Sequence, residues 1–370
     1  MIKNSFLFVV FLLFSICIQT AFAQKTISLD REKINIASVR LDSLVKSKTN
    51  KNTPGYAVMV INDGKIIYNK GFGLANLETK QPITSNTDFY LASLSKEFTS
   101  MAIMILHDRH LLKFDDLMIK YLPGFPAYGK KITIRNLLTH TSGLPDFYNV
   151  LGYNHDFTGL TNQDVWNLLM KQDSLLFPPG TKYNYSNSEY VLLAMIIAKV
   201  SQEHFAKFME ENIFNPIGMN NTLIFTDSTL NVPDRAIGYV KDSIGIYKKD
   251  DYAQFTTGAG GMYSSTGDLF RWDQSLYTNK LVSKATLQQA FTKQKLNDGT
   301  KINYGFGWMI NNLNEGNLKG VKYIYHTGSL DGFKNLIVRI PSYHFTCIVL
   351  SNSGKPIADP KVIPELFLEK

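Results

Sequence analysis

The chain has 370 residues, with 39 Lys and Arg against 31 Asp and Glu and a formal charge of +8 at pH 7. At about 150 residues per domain, that length carries two lobes and a large core. Its basic residues are scattered and match no nucleic-acid-binding module, which argues against a nucleic-acid partner and leaves a diffuse surface suited to solubility or to anionic cell-envelope material.

Residues 1–23 combine a positive charge at Lys3, an apolar run over 6–18 and Ala21-Phe22-Ala23 before Gln24, the pattern of a cleaved secretory signal peptide. Lipoprotein processing at Cys17 fits less well, because Ile16 stands where a small residue belongs. The run is shorter than the roughly 20 residues of a bilayer span, and no later stretch qualifies. The expectation is an exported protein, periplasmic or secreted, with no transmembrane span. Cleavage leaves Cys347 as the single cysteine, so no intrachain disulfide forms; its apolar surroundings over 345–350 make it a buried strand residue.

Ile36, Val39, Leu41, Leu44 and Val45 predict an amphipathic helix lying on a sheet. Apolar runs over 56–61 and 66–68 flank Asn62-Asp63-Gly64-Lys65, where Asp-Gly predicts a tight hairpin. Next comes Tyr90-Leu91-Ala92-Ser93-Leu94-Ser95-Lys96-Glu97-Phe98, heading a helical pattern in which Phe98, Met101, Ala102, Ile105 and Leu106 form one stripe. Side chains three apart on a helix are neighbours, so Ser93 and Lys96 share a face. A serine hydroxyl is a poor nucleophile until a base lies within hydrogen-bond reach, and a lysine held there by the helix is a candidate activator.

Helices are expected over 95–110, 134–139, 162–171 and 189–200. His107-Asp108-Arg109-His110 reads as a solvated helix end and not a metal site, because a third ligand is lacking. His140-Thr141-Ser142-Gly143 reads as a turn after a helix, since adjacency in sequence does not align an imidazole with a hydroxyl. Residues 179–190 form a loop running into a helix, and Tyr185-Ser186-Asn187 within it offers a phenol and an amide. The polar segment 227–254 contains a small hairpin around Asp242-Ser243.

Beyond Gly260-Gly261 a helix is expected near 268–276, then strand-like runs over 304–310, 323–326, 335–340 and 345–350. Tyr325-His326-Thr327-Gly328-Ser329 stands at a strand end, with Gly328 leaving room for a substrate backbone. Strands early and late with helices between predict an α/β (α+β) fold, a sheet lobe built from both ends of the chain with a mainly helical lobe inserted. The sheet lobe takes 24–84 and 262–370, the insert 85–261, and the cleft between them is the expected site. G-x-S-x-G and H-E-x-x-H are absent and Gly258-Ala259-Gly260-Gly261 lacks nucleotide-loop spacing, so no metal or other cofactor is expected.

Five segments together resemble the serine β-lactamase and penicillin-binding-protein superfamily, in its branch of class C β-lactamases, D-alanyl-D-alanine carboxypeptidases and related esterases. They are Ser93-Leu94-Ser95-Lys96, 137–145, Tyr185-Ser186-Asn187, 258–269 and His326-Thr327-Gly328, in family order across most of the mature chain. The resemblance implies a β-lactamase/transpeptidase-like fold, an antiparallel β-sheet flanked by N- and C-terminal helices, with Ser93 as the nucleophile that is acylated, Lys96 as a helper in moving its proton, and Tyr185 as a proton shuttle. Whether Lys96 or Tyr185 is the base stays open. It further implies that Asn187 bonds a substrate amide, that His326, Thr327, Gly328 and Ser329 line the substrate, and that the N–H groups of Ser93 and Ser329 form an oxyanion hole.

One position departs from the class C pattern: His326 stands where those enzymes carry lysine. A histidine titrates near about pH 6.5 and is only partly charged at pH 7. The expectation therefore tilts towards small-molecule or peptide substrates cleaved at a peptide, amide or ester bond, possible cell-wall peptides included, over penicillins and cephalosporins. It also follows that carboxylate recognition through protonated His326 should weaken as pH rises past that value. A true β-lactamase and a non-catalytic penicillin-binding sensor of wall peptides are the rival readings; intact Ser93, Lys96 and Tyr185 oppose the second. The oligomeric state is open.

Overall fold

The computed structural model describes residues 29–152, 154–227, 231–251, 254–330 and 332–369, and the signal-peptide expectation over 1–23 lies outside them. Its centre is one antiparallel sheet of β1 (Tyr56–Asn62), β2 (Lys65–Phe72), β3 (Met309–Asn312), β4 (Lys322–Leu330), β5 (Phe333–Ile340) and β6 (Phe345–Ser351). Their spatial order is β3-β4-β5-β6-β1-β2, so the early hairpin and the late strands meet where Val60 faces Cys347. Cys347 is buried there, as expected. The β1–β2 turn has Asp63 at φ 53° and Gly64 at φ 70°, the pair of positive φ values that a type I′ hairpin needs.

The helices that matter for the site are α1 (Arg31–Lys46), α2 (Ser95–Asp108), α3 (Ile134–Leu138), α4 (Phe147–Leu151), α5 (Asn162–Met170), α6 (Asn187–Ser201), α7 (Thr266–Ser275) and α8 (Val362–Leu368). Period-two alternation in β1 sends Ala57, Met59 and Ile61 into a core shared with α2, α6 and α7, and Tyr56, Val58 and Val60 into a second core under α1 and α8. Both faces of the sheet are thus covered, which is why β1 is buried throughout. Among the described residues no helix is long and apolar enough to cross a membrane.

Three local expectations change. Helix α1 buries Ala37, Leu41 and Val45, whereas Ile36 and Val39 are 48% and 66% exposed. The stripe runs at i, i+4 and i+8, through an alanine buried in the core shared with α8. The run 304–310 enters the sheet only at Met309, because Gly307, at φ 75°, turns the chain against the Lys96 carbonyl. Strand β4 continues to Leu330, so His326-Thr327-Gly328 lies inside a strand and not at its end. Its ladder with β3 stops at Tyr325, and the edge beyond borders a cavity.

Candidate active site

A 3₁₀ turn, Ala92–Leu94, feeds directly into α2 and places Ser93 at the mouth of the cavity. Ala92 has φ 49°, a left-handed conformation unusual for a residue with a Cβ and a form of strain that clusters at functional sites. Lys96, one turn on, is fully buried. Its Nζ lies 3.0 Å from Ser93 Oγ, 2.8 Å from Asn187 Oδ1 and 2.8 Å from the Ala259 carbonyl. Burial pushes the ammonium down to about 7, against the pull of the Asp146 and Glu189 carboxyls. A neutral amine has two N–H donors and one lone pair. The amide oxygen and the carbonyl can only accept, so they take the two donors and leave the lone pair for the Ser93 hydroxyl.

Asn187 could present either end of its amide to Lys96, and Asp146 decides which. The Asp146 carboxylate accepts from Asn187 Nδ2 at 2.8 Å and from Asn187 N at 3.0 Å, turning Oδ1 towards the lysine. Its other oxygen caps α4 through Tyr148 N. Asn187 thus sits in a chain from Asp146 to Lys96 at the edge of the cavity, with both ends of its amide engaged inside the protein.

Tyr185 presents its ring 4.9 Å from Lys96 Nζ. Burial drives its phenol well above 10, and a hydrogen bond with Ser93 pulls the other way. The phenolate form is therefore disfavoured at neutral pH, whereas the neutral lysine is accessible.

His326 does not carry the charge expected of it. Alternation along β4 turns it inward beside Ile324, and it is buried. Nδ1 donates to the Thr327 carbonyl at 2.7 Å, which leaves Nε2 to accept from the Tyr304 hydroxyl at 3.1 Å. Burial, reinforced by Lys96, lowers the imidazole to about 3. Burial and the Tyr304 and Thr327 partners thus favour the neutral ring, against the titration near pH 6.5 expected at this strand.

Gly328 also has a different cause. A Cβ there would lie 2.1 Å from the Leu91 carbonyl, so what its missing side chain admits is the turn carrying Ser93. Thr327 and Ser329, on the opposite face of β4, line the cavity of about 510 Å³ together with Ser93, Tyr185, Asn187 and His326. Lys334 of β5, paired with Ser329 across the ladder, adds an ammonium whose Nζ donates to Ser329 Oγ. All eight residues picked out in the sequence are thus brought to one place. Asp146, Glu189, His140, Tyr304 and Lys334 were missed as site residues. Asp146 had a local signal, directly following 137–145 and heading a helix, but its partner lies 41 residues away.

Residues 41–368 match the Beta-lactamase family. The chain belongs to that family. It is thereby a serine hydrolase of the β-lactamase and penicillin-binding-protein superfamily. It is 38% identical over 326 residues to penicillin-binding protein 4* of Bacillus subtilis, an overlap covering 84% of this chain and 71% of that protein. The fold is similar to the octameric penicillin-binding protein homologue of Pyrococcus abyssi, with TM-score 0.76, 26% identity and coverage of 89% and 75%. D-amino acid amidase of Ochrobactrum anthropi SV3 shares the fold at TM-score 0.73 and 22% identity, over 90% and 96% of the two chains. Among the described residues of this hydrolase no cluster of His, Cys, Asp and Glu suits a metal ion. His107 instead stacks on Phe114 at 4.0 Å.

Proposed function

We propose that this family member is an exported hydrolase that forms an acyl-enzyme at Ser93 with peptide, amide or ester substrates, D-amino-acid peptides and small esters ahead of penicillins and cephalosporins. The observation that carries this reading is the buried Lys96 amine, held by two acceptors so that its lone pair meets Ser93 Oγ. Lys96 takes the Ser93 proton as the hydroxyl oxygen attacks the carbonyl carbon. Tyr185, protonated and hydrogen-bonded to Ser93, relays a proton to the leaving group. The N–H groups of Ser93 and Ser329 hold the oxyanion, a contribution worth roughly 100- to 1,000-fold per donor. Water then attacks the acyl carbonyl by the same route and restores Ser93. Incubation with a fluorophosphonate or a fluorescent penicillin should give one covalent adduct, on the peptide containing Ser93, and none in Ser93→Ala. Equal labelling of that variant refutes the assignment, and no labelling of the wild type favours a non-catalytic binder.

The neutral His326 supports the preference for substrates other than β-lactams, since the lysine of class C enzymes has no charged counterpart at that position. A substrate carboxylate entering the cavity meets Lys334 instead. Lys334→Met should lower kcat/KM for a free-carboxylate peptide by about 10- to 100-fold, the range of a hydrogen bond to a charged group. The methyl ester of the same peptide should change little. Equal losses on both substrates would remove Lys334 from this role.

A further inference from the structure

Beneath Tyr185 lies a buried acid–imidazole pair that the steps above do not use. Glu189, in the first turn of α6, and His140, in the turn after α3, are both inaccessible to solvent. Glu189 Oε2 lies 2.5 Å from His140 Nδ1, and Glu189 Oε1 accepts from Ser142 Oγ at 2.5 Å and from Ser142 N at 3.2 Å. His140 is held at φ 58°, a strained backbone for a non-glycine residue.

The position of the shared proton follows from the donors. The backbone N–H of Ser186 also points at His140 Nδ1, at 3.2 Å. A ring nitrogen that carries hydrogen cannot accept one, so the Ser186 N–H favours a bare Nδ1, with the proton of the short contact on Glu189 Oε2. The remaining hydrogen of the neutral ring is then on Nε2, which has no hydrogen-bond partner among the described residues, and the ring sits among those of Tyr185, Tyr190 and Tyr304. The environment agrees. Burial raises the Glu189 carboxyl well above the usual range and lowers the His140 imidazole well below it, helped by Lys96.

His140 touches three successive residues, Asn184, Tyr185 and Ser186, at and just before the Tyr185-Ser186-Asn187 segment. Its carbonyl accepts from Asn184 N at 2.9 Å, its ring packs 4.2 Å from the Tyr185 ring, and Nδ1 takes the Ser186 N–H. We infer that Glu189, held as a neutral carboxylic acid, is a positioning residue that fixes His140 as a neutral acceptor and thereby sets Tyr185 and Asn187 against Ser93 and Lys96. A proton on Nδ1 would oppose the Ser186 N–H, and an imidazolium protonated at both nitrogens would place a cation near Lys96. With Glu189 neutral, Asp146 is the carboxylate left to favour the charged lysine, so the arrangement also helps to hold the Lys96 amine unprotonated.

This inference rests on the proposed relay through Tyr185, and the test separates the two. Glu189→Gln puts an amide N–H where the acid O–H was and keeps the oxygen that Ser142 bonds, whereas Glu189→Met keeps only the length. Glu189→Met should lower kcat for a neutral ester by about 10- to 100-fold with a smaller change in KM, in line with a displaced proton-transfer group. Glu189→Gln should restore kcat to within about twofold of wild type and leave its pH profile unchanged. A Gln variant as impaired as the Met variant, or a Met variant as active as wild type, overturns the inference. Should the Met variant not fold, imidazole ¹⁵N shifts of His140 in the wild-type protein decide it. A bare Nδ1 and protonated Nε2 from pH 6 to 8 support the neutral pair, and an imidazolium overturns it. A wild-type protein that neither labels at Ser93 nor turns over ester fails the hydrolase reading alone, and the nitrogen shifts still report on the pair.

Discussion

Lys96→Met should slow covalent labelling of Ser93 by about 100- to 10,000-fold, the range that a positioned general base contributes. Methionine fills most of the volume of the buried side chain and removes an amine whose charged form is penalised by desolvation, which offsets part of the cost of leaving the Asn187 and Ala259 oxygens without that donor, so the fold should persist. The wild-type pH profile carries the same information. A base must be unprotonated, and burial lowers Lys96 from 10.5 to about 7. kcat/KM for a neutral ester should therefore rise with pH through about 7 and level off above it. The sign for stability is also fixed. Between about 7 and 10.5 the unfolded chain holds a proton on Lys96 that the folded protein has released, so stability rises with pH across that window through this group. Below it the group exerts its full destabilising effect. Both dependences should vanish in Lys96→Met. Stopped-flow labelling at wild-type speed in that variant would transfer the role of base to Tyr185.

Asp273→Ala should destabilise the protein by about 3 to 5 kcal/mol, the loss expected when one partner of a buried ion pair is removed and the other stays behind. Asp273 of α7 and Arg339 of β5 are both buried, with Arg339 Nε 2.6 Å from Asp273 Oδ1. Thr346 of β6 donates to the same oxygen at 2.7 Å. The carboxylate therefore joins one helix to two strands, and without it a buried guanidinium keeps the rings of Tyr277 and Phe291, 4.6 and 5.5 Å away, and a long bond to the Asp273 carbonyl. A urea melt should show a lower midpoint at unchanged slope, since the area exposed on unfolding is the same. A midpoint shift worth under about 1 kcal/mol would mean that Arg339 finds water or another anion in the variant. Ser93 labelling per folded molecule should be unaffected, as Asp273 is not among the residues that line the cavity.

The contrast between these two predictions reflects how far each was visible in the chain. Ser93 and Lys96 were readable as a pair because three residues on a helix fix two side chains on one face, whatever the rest of the protein does. The β1–β2 hairpin was readable because Asp63 and Gly64 satisfy a local requirement for positive φ. Cys347 was placed correctly because an apolar run in a central strand is buried on both sides. The helix stripe in α1 was read correctly at Leu41, Leu44 and Val45 and wrongly at Ile36 and Val39, where Ala37 faces the core instead. Periodicity marks the existence of a face, while the sheet surface decides which residues meet it.

Period and turn chemistry therefore determined the strands early and late, the helices between them and the shared face of Ser93 and Lys96, because each depends on interactions within a few residues. Tertiary structure decided the electrostatics. Lys96 is a base near neutrality because Asn187 and Ala259 reach it from 91 and 163 residues away and because the surrounding core strips it of water. His326 is neutral because strand alternation turns it inward onto Tyr304, and Glu189 keeps its proton because His140, 49 residues earlier in the chain, offers only a lone pair. Charge in a buried site is set by desolvation and by which partners donate, and neither is encoded in the identity of the residue itself.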